Sequence, residues 1–311
     1  MEHSIGTPAF WALFILVVLF LLAIDLGVFH RRAHAVSVRE ALSWSVVWIF
    51  LSLSFGVWIY KTFGRQYGLE FFAGYLIEYA LSIDNVFVFI LIFSYFAVPA
   101  GLHHRVLFWG ILSALAMRAT FIVAGAALIQ SFQWVLYIFG IFLIVTGTKI
   151  IRQGDTKIEP ERNPVVKIFR RFVRMTSGYG TGQFFQKRHG KLMATPLALV
   201  LVTVEATDVV FATDSIPAIF GVTRDPFIVY TSNICAILGL RSMYFLLSAV
   251  VSRFAYLGTG LGIVLIFIGA KMLMGSVYHI PIGLSLSIVA IILLGAIVFS
   301  LIYPPKKPHS H

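Results

Sequence analysis

The chain has 311 residues, of which 59% are hydrophobic and only 12% are Asp, Glu, Lys or Arg, against about 25% charged residues in ordinary soluble domains. This composition excludes a soluble globular protein. Several apolar runs are long enough to cross a hydrocarbon core about 30 Å thick, so they indicate a polytopic all-α membrane protein. The runs lack the alternating polarity of β-barrel strands. The net charge of +11 is explained by cations collected on the cytoplasmic side during insertion, so we expect no nucleic-acid partner.

Nine apolar runs between charged or turn-rich breaks predict nine transmembrane helices, the first of them a retained span and not a cleaved signal. The predicted spans cover residues 8–29, 41–60, 71–96, 105–129, 133–151, 195–220, 229–251, 255–275 and 281–303. With the N-terminus outside, 17 cations fall in cytoplasmic segments against three outside. We therefore predict an outside N-terminus and a cytoplasmic C-terminus.

This reading divides the chain into five parts. They are two peripheral helices, a first three-helix repeat, a basic cytoplasmic loop, a second three-helix repeat, and a final helix with a basic tail, over residues 1–60, 71–151, 152–194, 195–275 and 281–311. In the loop, apolar residues recur at helical spacing between four cations; they are Val165, Val166, Phe169, Phe172 and Val173. This pattern predicts a basic amphipathic helix on the anionic lipid of the inner leaflet. A solvated linker is the alternative.

An internal repeat relates the two three-helix units. The segment from Glu78 to Asp84 and Asn85 matches the segment from Asp208 to Asp214 and Ser215, with five residues between the two acids in each. Further matched pairs follow in the same order: Pro99 and Pro226, Arg118 and Arg241, Gly140 and Gly262, Gly147 and Gly269, Lys149 and Lys271. Because each unit has an odd number of spans, the two copies must run in opposite directions across the membrane. The sequence therefore predicts an inverted repeat of three plus three helices, a recurring transporter plan.

Six carboxylates lie within the predicted spans: Asp25, Glu78, Asp84, Glu205, Asp208 and Asp214. Each costs about 2.5–3.5 kcal/mol at a helix centre on insertion scales. The mid-span cations Arg118 and Arg241 can pair with two of these acids, and we expect them to balance charge when no metal is bound. Asp25 lies outside the repeats, and a proton or gating role and a satisfied interfacial acid remain equally open for it.

A bound cation would balance the remaining acids. Carboxylates, the Asn85 amide oxygen and the Ser215 hydroxyl form an all-oxygen ligand set suited to Mg²⁺, Ca²⁺ or Mn²⁺. Glu205 and Asp208 share a helix face, whereas Asp214 lies on the opposite side of a regular helix. Pro217 predicts a helix break near Asp214. The metal is expected as a transported substrate exchanged for protons, and no prosthetic cofactor is expected.

Two other classes of protein are alternatives to a transporter. An intramembrane aspartyl protease also needs paired acids, but the GxGD pattern is absent, as are the GxSxG and HExxH motifs of hydrolases. We therefore predict that the chain is not an enzyme. A membrane scaffold without transport activity is the other alternative, and it leaves six costly acids without a use.

Four segments carry a resemblance to a known family: GYLIEYALSIDNVFVF, VEATDVVFATDSIPAIFGVT, SNICAILGLRSMYFLL and FIGAKML. They resemble the TerC family of integral membrane proteins, in particular its bacterial alkali-inducible and manganese-exporting members. The resemblance implies a nine-span protein of the bacterial inner membrane, similar in its repeats to the lysine-exporter superfamily, that moves Mn²⁺ out of the cytosol. It implies the transport residues Glu78, Asp84, Asn85, Glu205, Asp208, Asp214 and Ser215. A Ca²⁺ or other divalent cation exchanger remains an alternative, and the oligomeric state is left open.

Overall fold

The structure is a computed structural model, and it describes most of the chain. The described residues are 4–29, 37–132, 134–153, 164–173, 175–176, 178–179, 182–188, 191–248, 256–274 and 280–302. The side chains of two predicted site residues, Asp25 and Asp84, lie outside the described part, although both positions belong to helices.

The described chain is built from helices and one short hairpin. The helices are α1 (Pro8–Phe29), α2 (Val38–Phe63), α3 (Arg65–Tyr95), α4 (Ala100–Ser131), α5 (Val135–Gln153), α6 (Pro164–Phe172), α7 (Pro196–Phe220), α8 (Pro226–Leu238), α9 (Leu240–Ser248), α10 (Leu257–Met274) and α11 (Ile282–Ile302). Strands β1 (Phe185–Arg188) and β2 (Lys191–Ala194) pair antiparallel, with Phe185 opposite Ala194 and Lys187 opposite Leu192.

Many of these helices have the length and apolarity of membrane spans. Six described helices can cross a bilayer: Val38–Phe63, Arg65–Tyr95, Ala100–Ile129, Val135–Arg152, Pro196–Phe220 and Ile282–Ile302. Three further apolar segments are shorter: Pro8–Ile24, Pro226–Leu238 and Gly258–Met274. The protein is thus an all-α polytopic membrane protein, as predicted. The count of nine spans and the inverted repeat stay predictions.

The structure differs from the sequence reading at Pro217. The predicted break near Asp214 is wrong, because α7 continues through Pro217 to Phe220. Proline removes the hydrogen bond that its own nitrogen would donate and crowds the carbonyl four residues earlier, yet α7 remains helical through Pro217. The ladder resumes at once, since the Gly221 nitrogen donates to the Pro217 carbonyl at 3.0 Å. Asp208 and Asp214 therefore stand on one regular helix and point to different sides of it.

The region around the basic loop holds both an expected and an unexpected element. The predicted loop helix is present as α6, whose Val166 is buried. The β1–β2 hairpin was not predicted, although His189-Gly190 between two short apolar and polar stretches is a turn signal in the sequence. The hairpin is tied to the membrane helices: the Thr195 hydroxyl donates to Gln183 O at 2.7 Å, and the Arg105 guanidinium lies 5.7 Å from the centre of the Phe184 ring.

Helices α5 and α10 meet along glycines that the repeat places at equivalent positions. A Cβ built on Gly140 would lie 2.9 Å from the Gly269 carbonyl oxygen, and one built on Gly262 would lie 2.8 Å from the Gly147 carbonyl oxygen. Contacts this short with backbone atoms leave no space for a side chain. Small residues are what allows membrane helices to approach so closely.

We predict that Gly262→Ala lowers stability by about 1–3 kcal/mol, the usual cost of overpacking a tight contact. The added methyl group must displace backbone of α5, which cannot rotate away. Gly258→Ala is the matched control on the same helix, because a Cβ there meets nothing within 4 Å. Thermal unfolding of the detergent-solubilised variants measures the difference, and equal melting temperatures would contradict the close contact.

Candidate functional site

A buried arginine lies at the centre of the helix bundle. Arg118 of α4 is fully buried, and its Nε and Nη2 donate to the two oxygens of Asp208 at 3.4 and 3.1 Å. Its Nη1 donates to Glu78 Oε1, to Ser215 Oγ at 3.4 Å and to Asn233 Oδ1 at 3.1 Å. We call these five residues the arginine cluster. One guanidinium thus ties together two carboxylates, a hydroxyl and an amide.

The cluster is assembled from four different helices. Glu78 comes from α3, Asp208 and Ser215 from α7, and Asn233 from α8. Asp208 and Ser215 reach the same guanidinium because seven residues are nearly two full helical turns, which returns them to one face. All four partners are less than a tenth exposed. The cluster therefore fixes α3, α4, α7 and α8 to one another at one depth.

The charges in the arginine cluster do not balance. One guanidinium faces two carboxyl groups, and bulk solvent does not reach Arg118 or Glu78, whose side chains are both 0% exposed. An unbalanced charge in a low-dielectric interior is costly. The arrangement can therefore take up one further positive charge, either a proton or part of the charge of a metal cation.

Several buried polar atoms on α3, α7 and α8, three of the helices that build the cluster, have no hydrogen-bond partner among the described residues. They are Glu78 Oε2, Ser82 Oγ, Asn85 Nδ2, Asn233 Nδ2 and both carboxylate oxygens of Glu205. Folded proteins leave few such atoms, so a group of them in one region asks for a functional explanation. Three of the residues, Glu78, Ser82 and Asn85, recur at spacings of four and three on α3. They form one stripe, which we call the polar face of α3.

The remaining predicted residues occupy different surroundings. Asp214 is half-buried on α7, and its carboxylate lies beside Thr146 and Lys149 of α5. It is not part of the arginine cluster. Glu205 has Asp208 and Ser113 as polar neighbours, but the Ser113 hydroxyl donates to the carbonyl oxygens of Trp109 and Gly110. Arg241 is buried in α9. The side chains of Asp25 and Asp84 lie outside the described part of the chain.

Within the described residues, no three His, Cys, Asp or Glu side chains lie close enough together to hold a metal ion. Several oxygen atoms of the arginine cluster already accept hydrogen bonds from Arg118. A metal could therefore enter this region only with hydroxyl, amide or water oxygens completing its shell, or after the guanidinium has moved.

Three buried polar positions of this region were not among the residues predicted from the sequence. Asn233 was passed over although an amide inside the apolar run of α8 is itself a signal. Ser82 lay between the two acids of the repeat and was not considered. Glu70 fell just outside the predicted span; in the structure it belongs to α3, where Gln66 Nε2 donates to it at 3.0 Å and Thr223 Oγ1 at 2.6 Å.

The chain matches the sequence model of the integral membrane protein TerC family over residues 63–308. It is 50% identical over 307 residues to the uncharacterized membrane protein STKORF319 of Myxococcus xanthus, covering 99% of this chain and 96% of that protein. It is 50% identical over 296 residues to the protein named "Putative membrane-bound redox modulator Alx" in Escherichia coli (strain K12), covering 92% of each. An uncharacterized membrane protein of Rickettsia bellii is 40% identical over 292 residues, with 94% of this chain and 97% of that protein covered. No solved structure matches the chain.

We predict that Arg118→Gln lowers stability by about 3–5 kcal/mol, because it leaves two buried carboxylates without their cation. The double variant Arg118→Gln with Asp208→Asn should recover part of this loss, since one of the two stranded charges is gone. Reversible unfolding in mixed detergent micelles measures both. Arg224→Gln, at an exposed cation, is the control, and a loss no larger than that of the control would contradict the described contacts.

Proposed function

Since the chain belongs to the TerC family of integral membrane proteins, we propose that it is a secondary transporter that exports divalent metal cations from the cytosol, with Mn²⁺ as the substrate. The arginine cluster is the observation that carries this proposal. Ionisable groups buried between membrane helices are rare and usually mark the path of an ion. A protein that needed only a stable core would be better served by apolar side chains at these positions.

The charge imbalance favours a cation as the substrate. Glu78 and Asp208 share one guanidinium, so the metal-free cluster still attracts positive charge. Arg118 would then act as a tethered substitute for the metal, releasing the carboxylates when the cation arrives. Glu205, with two buried oxygens that accept no hydrogen bond from the described chain, supplies a further acidic group one helical turn away from Asp208. Oxygen ligands of this kind suit hard cations, and Ca²⁺ is the alternative substrate.

The predicted inverted repeat belongs to the same proposal. The equivalent acids Glu78 and Asp208 both bind Arg118, so the two copies would meet at the charged centre. The matched glycines of α5 and α10 also meet, but crosswise, with Gly140 against Gly269 and Gly147 against Gly262. Both contacts support nine spans with three plus three inverted helices. We propose an inner-membrane location with the N-terminus outside, and protons moving inward in exchange for the metal.

The name of the Alx relatives refers to redox modulation, and a pair of thiols in the chain would be one chemical basis for it. The chain has a single cysteine, Cys235, and it is buried in α8 with its thiol free. One cysteine cannot form an intrachain dithiol pair. Export of a redox-active metal is compatible with the relatives' name without any thiol chemistry in this chain. We propose no enzymatic activity and no prosthetic group.

The basic loop is proposed to rest on anionic lipid. Helix α6 exposes Ile168 beside the exposed cations Lys167 and Arg171, and Leu192 of the hairpin is 71% exposed. Apolar side chains next to cations are the pattern of segments that lie in a membrane interface.

We predict that Asp208→Asn, Asp84→Asn and Asp214→Asn each abolish Mn²⁺ export while the protein still inserts, because each removes a charge that a dication requires. The measurement is Mn²⁺ flux in proteoliposomes made with purified protein. Glu40→Gln, in the first turn of α2 and away from the arginine cluster, is the control. Wild-type flux in the Asp84→Asn variant would remove Asp84 from the transport site.

We also predict that Mn²⁺ binding releases protons and strengthens as pH rises. Carboxylates bind metal only after losing their protons, so protons and metal compete for the same oxygens. Binding of Mn²⁺ to purified protein across a pH series, with proton release followed in weak buffer, measures both quantities. An affinity that is flat from mildly acidic to alkaline pH, with no proton release, would contradict proton antiport.

A further inference from the structure

The polar groups in the two halves of the bundle differ in their hydrogen bonds with Arg118. Toward the end of α7 that precedes the α7–α8 turn, Arg118 donates to both Ser215 and Asn233. Toward the other end of the bundle, Ser82 Oγ and Asn85 Nδ2 have no hydrogen-bond partner within the described part of the chain. Arg118 thus bonds to a hydroxyl and an amide oxygen in one half, where Asn233 Nδ2 still lacks a described partner, and it has no described bond to Ser82 or Asn85 in the other half. With the predicted orientation, the half that holds Ser82 and Asn85 is the cytoplasmic one.

The repeat makes this difference more specific. Position 82 of the first copy corresponds to position 212 of the second, where the chain has alanine. Ala212 is buried in an apolar cluster with Ile216 and Phe220, and therefore needs no partner. Ser82 is equally buried, at 0% exposure, and carries a hydroxyl that no described group satisfies. A buried hydroxyl without a partner costs stability, so packing alone does not explain it.

We propose that the polar face of α3 is the cytoplasmic access site of the cation, and that the Ser82 hydroxyl is one of its ligands. This inference rests on the proposed transport function. Glu78 Oε2, Ser82 Oγ and the Asn85 amide lie along one stripe of α3 and lead toward Arg118. A hard divalent cation that keeps part of its water shell matches these groups, because carboxylate, hydroxyl, amide and water oxygens are its usual ligands. Water carried by the ion would also satisfy Asn85 Nδ2.

The test compares Ser82→Ala with Ser52→Ala, using Mn²⁺ alone as the probe. Ser52 is also buried in a span, but its hydroxyl donates to the Trp48 carbonyl oxygen at 2.8 Å. Removing the Ser82 hydroxyl, which has no partner among the described residues, should leave the melting temperature of the metal-free protein unchanged or higher. It should weaken Mn²⁺ binding at least about tenfold, since the loss even of groups that only orient metal ligands costs about 10–100-fold in affinity. Ser52→Ala should bind Mn²⁺ like the wild type.

Wild-type Mn²⁺ affinity in Ser82→Ala would overturn the access site while leaving the proposed transport function in place. A wild-type protein that binds and transports no divalent cation would overturn both. A fall in melting temperature without a change in affinity would assign Ser82 a structural role and overturn the ligand role.

A second measurement does not depend on the alanine variant. The chain has one cysteine, so Cys235→Ser provides a cysteine-free background. In that background, Mn²⁺ should slow alkylation of Ser82→Cys and leave the rate unchanged for Ala212→Cys, the counterpart in the repeat. Equal effects of Mn²⁺ at the two positions, or none at either, would overturn the proposed site.

Discussion

The organising interaction of this protein is the burial of one guanidinium among two carboxylates in the middle of a membrane protein. Taking each ion out of water costs several kcal/mol, and the cost is recovered only when geometry and hydrogen bonding are good. Arg118 meets this condition, since each of its three nitrogens donates to a described partner. Four helices must keep their relative depth and rotation for these bonds to form. The ionic contact therefore constrains these four helices in addition to their apolar packing.

Arginine is suited to this position for physical reasons. Its guanidinium stays protonated in proteins and offers a planar fork of donors, so it can hold Asp208 with two bonds and still reach Glu78. A lysine would present a single charged nitrogen and could not span the same partners. The guanidinium also contributes a fixed charge, because it stays protonated in proteins. Any change of charge at the centre must then come from the carboxylates or from an ion that enters.

Much of this architecture follows from the sequence alone, because hydrophobic length and charge cost act within a single helix. Apolar runs place the spans, and the energetic cost of buried ions identifies Glu78, Asp208 and Arg118 as residues that need a purpose. Contacts between helices are harder to predict. Helical periodicity gives the face on which a residue lies, but the neighbour of that face depends on packing. For this reason the sequence did not reveal that Asn233 joins Arg118 or that Asp214 faces α5.

The unequal hydrogen bonding of Arg118 in the two halves bears on how a protein built from the predicted inverted repeat would prefer one of two conformations. Two identical inverted copies would give two access states of equal energy, and the protein would have no preferred resting state. Here the copies differ where one carries Ser82 and the other Ala212, and Arg118 binds Ser215 but has no described bond to Ser82. Side-chain differences of this size shift an equilibrium between two conformations by amounts comparable to a hydrogen bond. If the proposed transport function holds, the empty protein would then rest with Ser82 and Asn85, whose polar atoms lack a described partner, toward the side from which the cation is taken up.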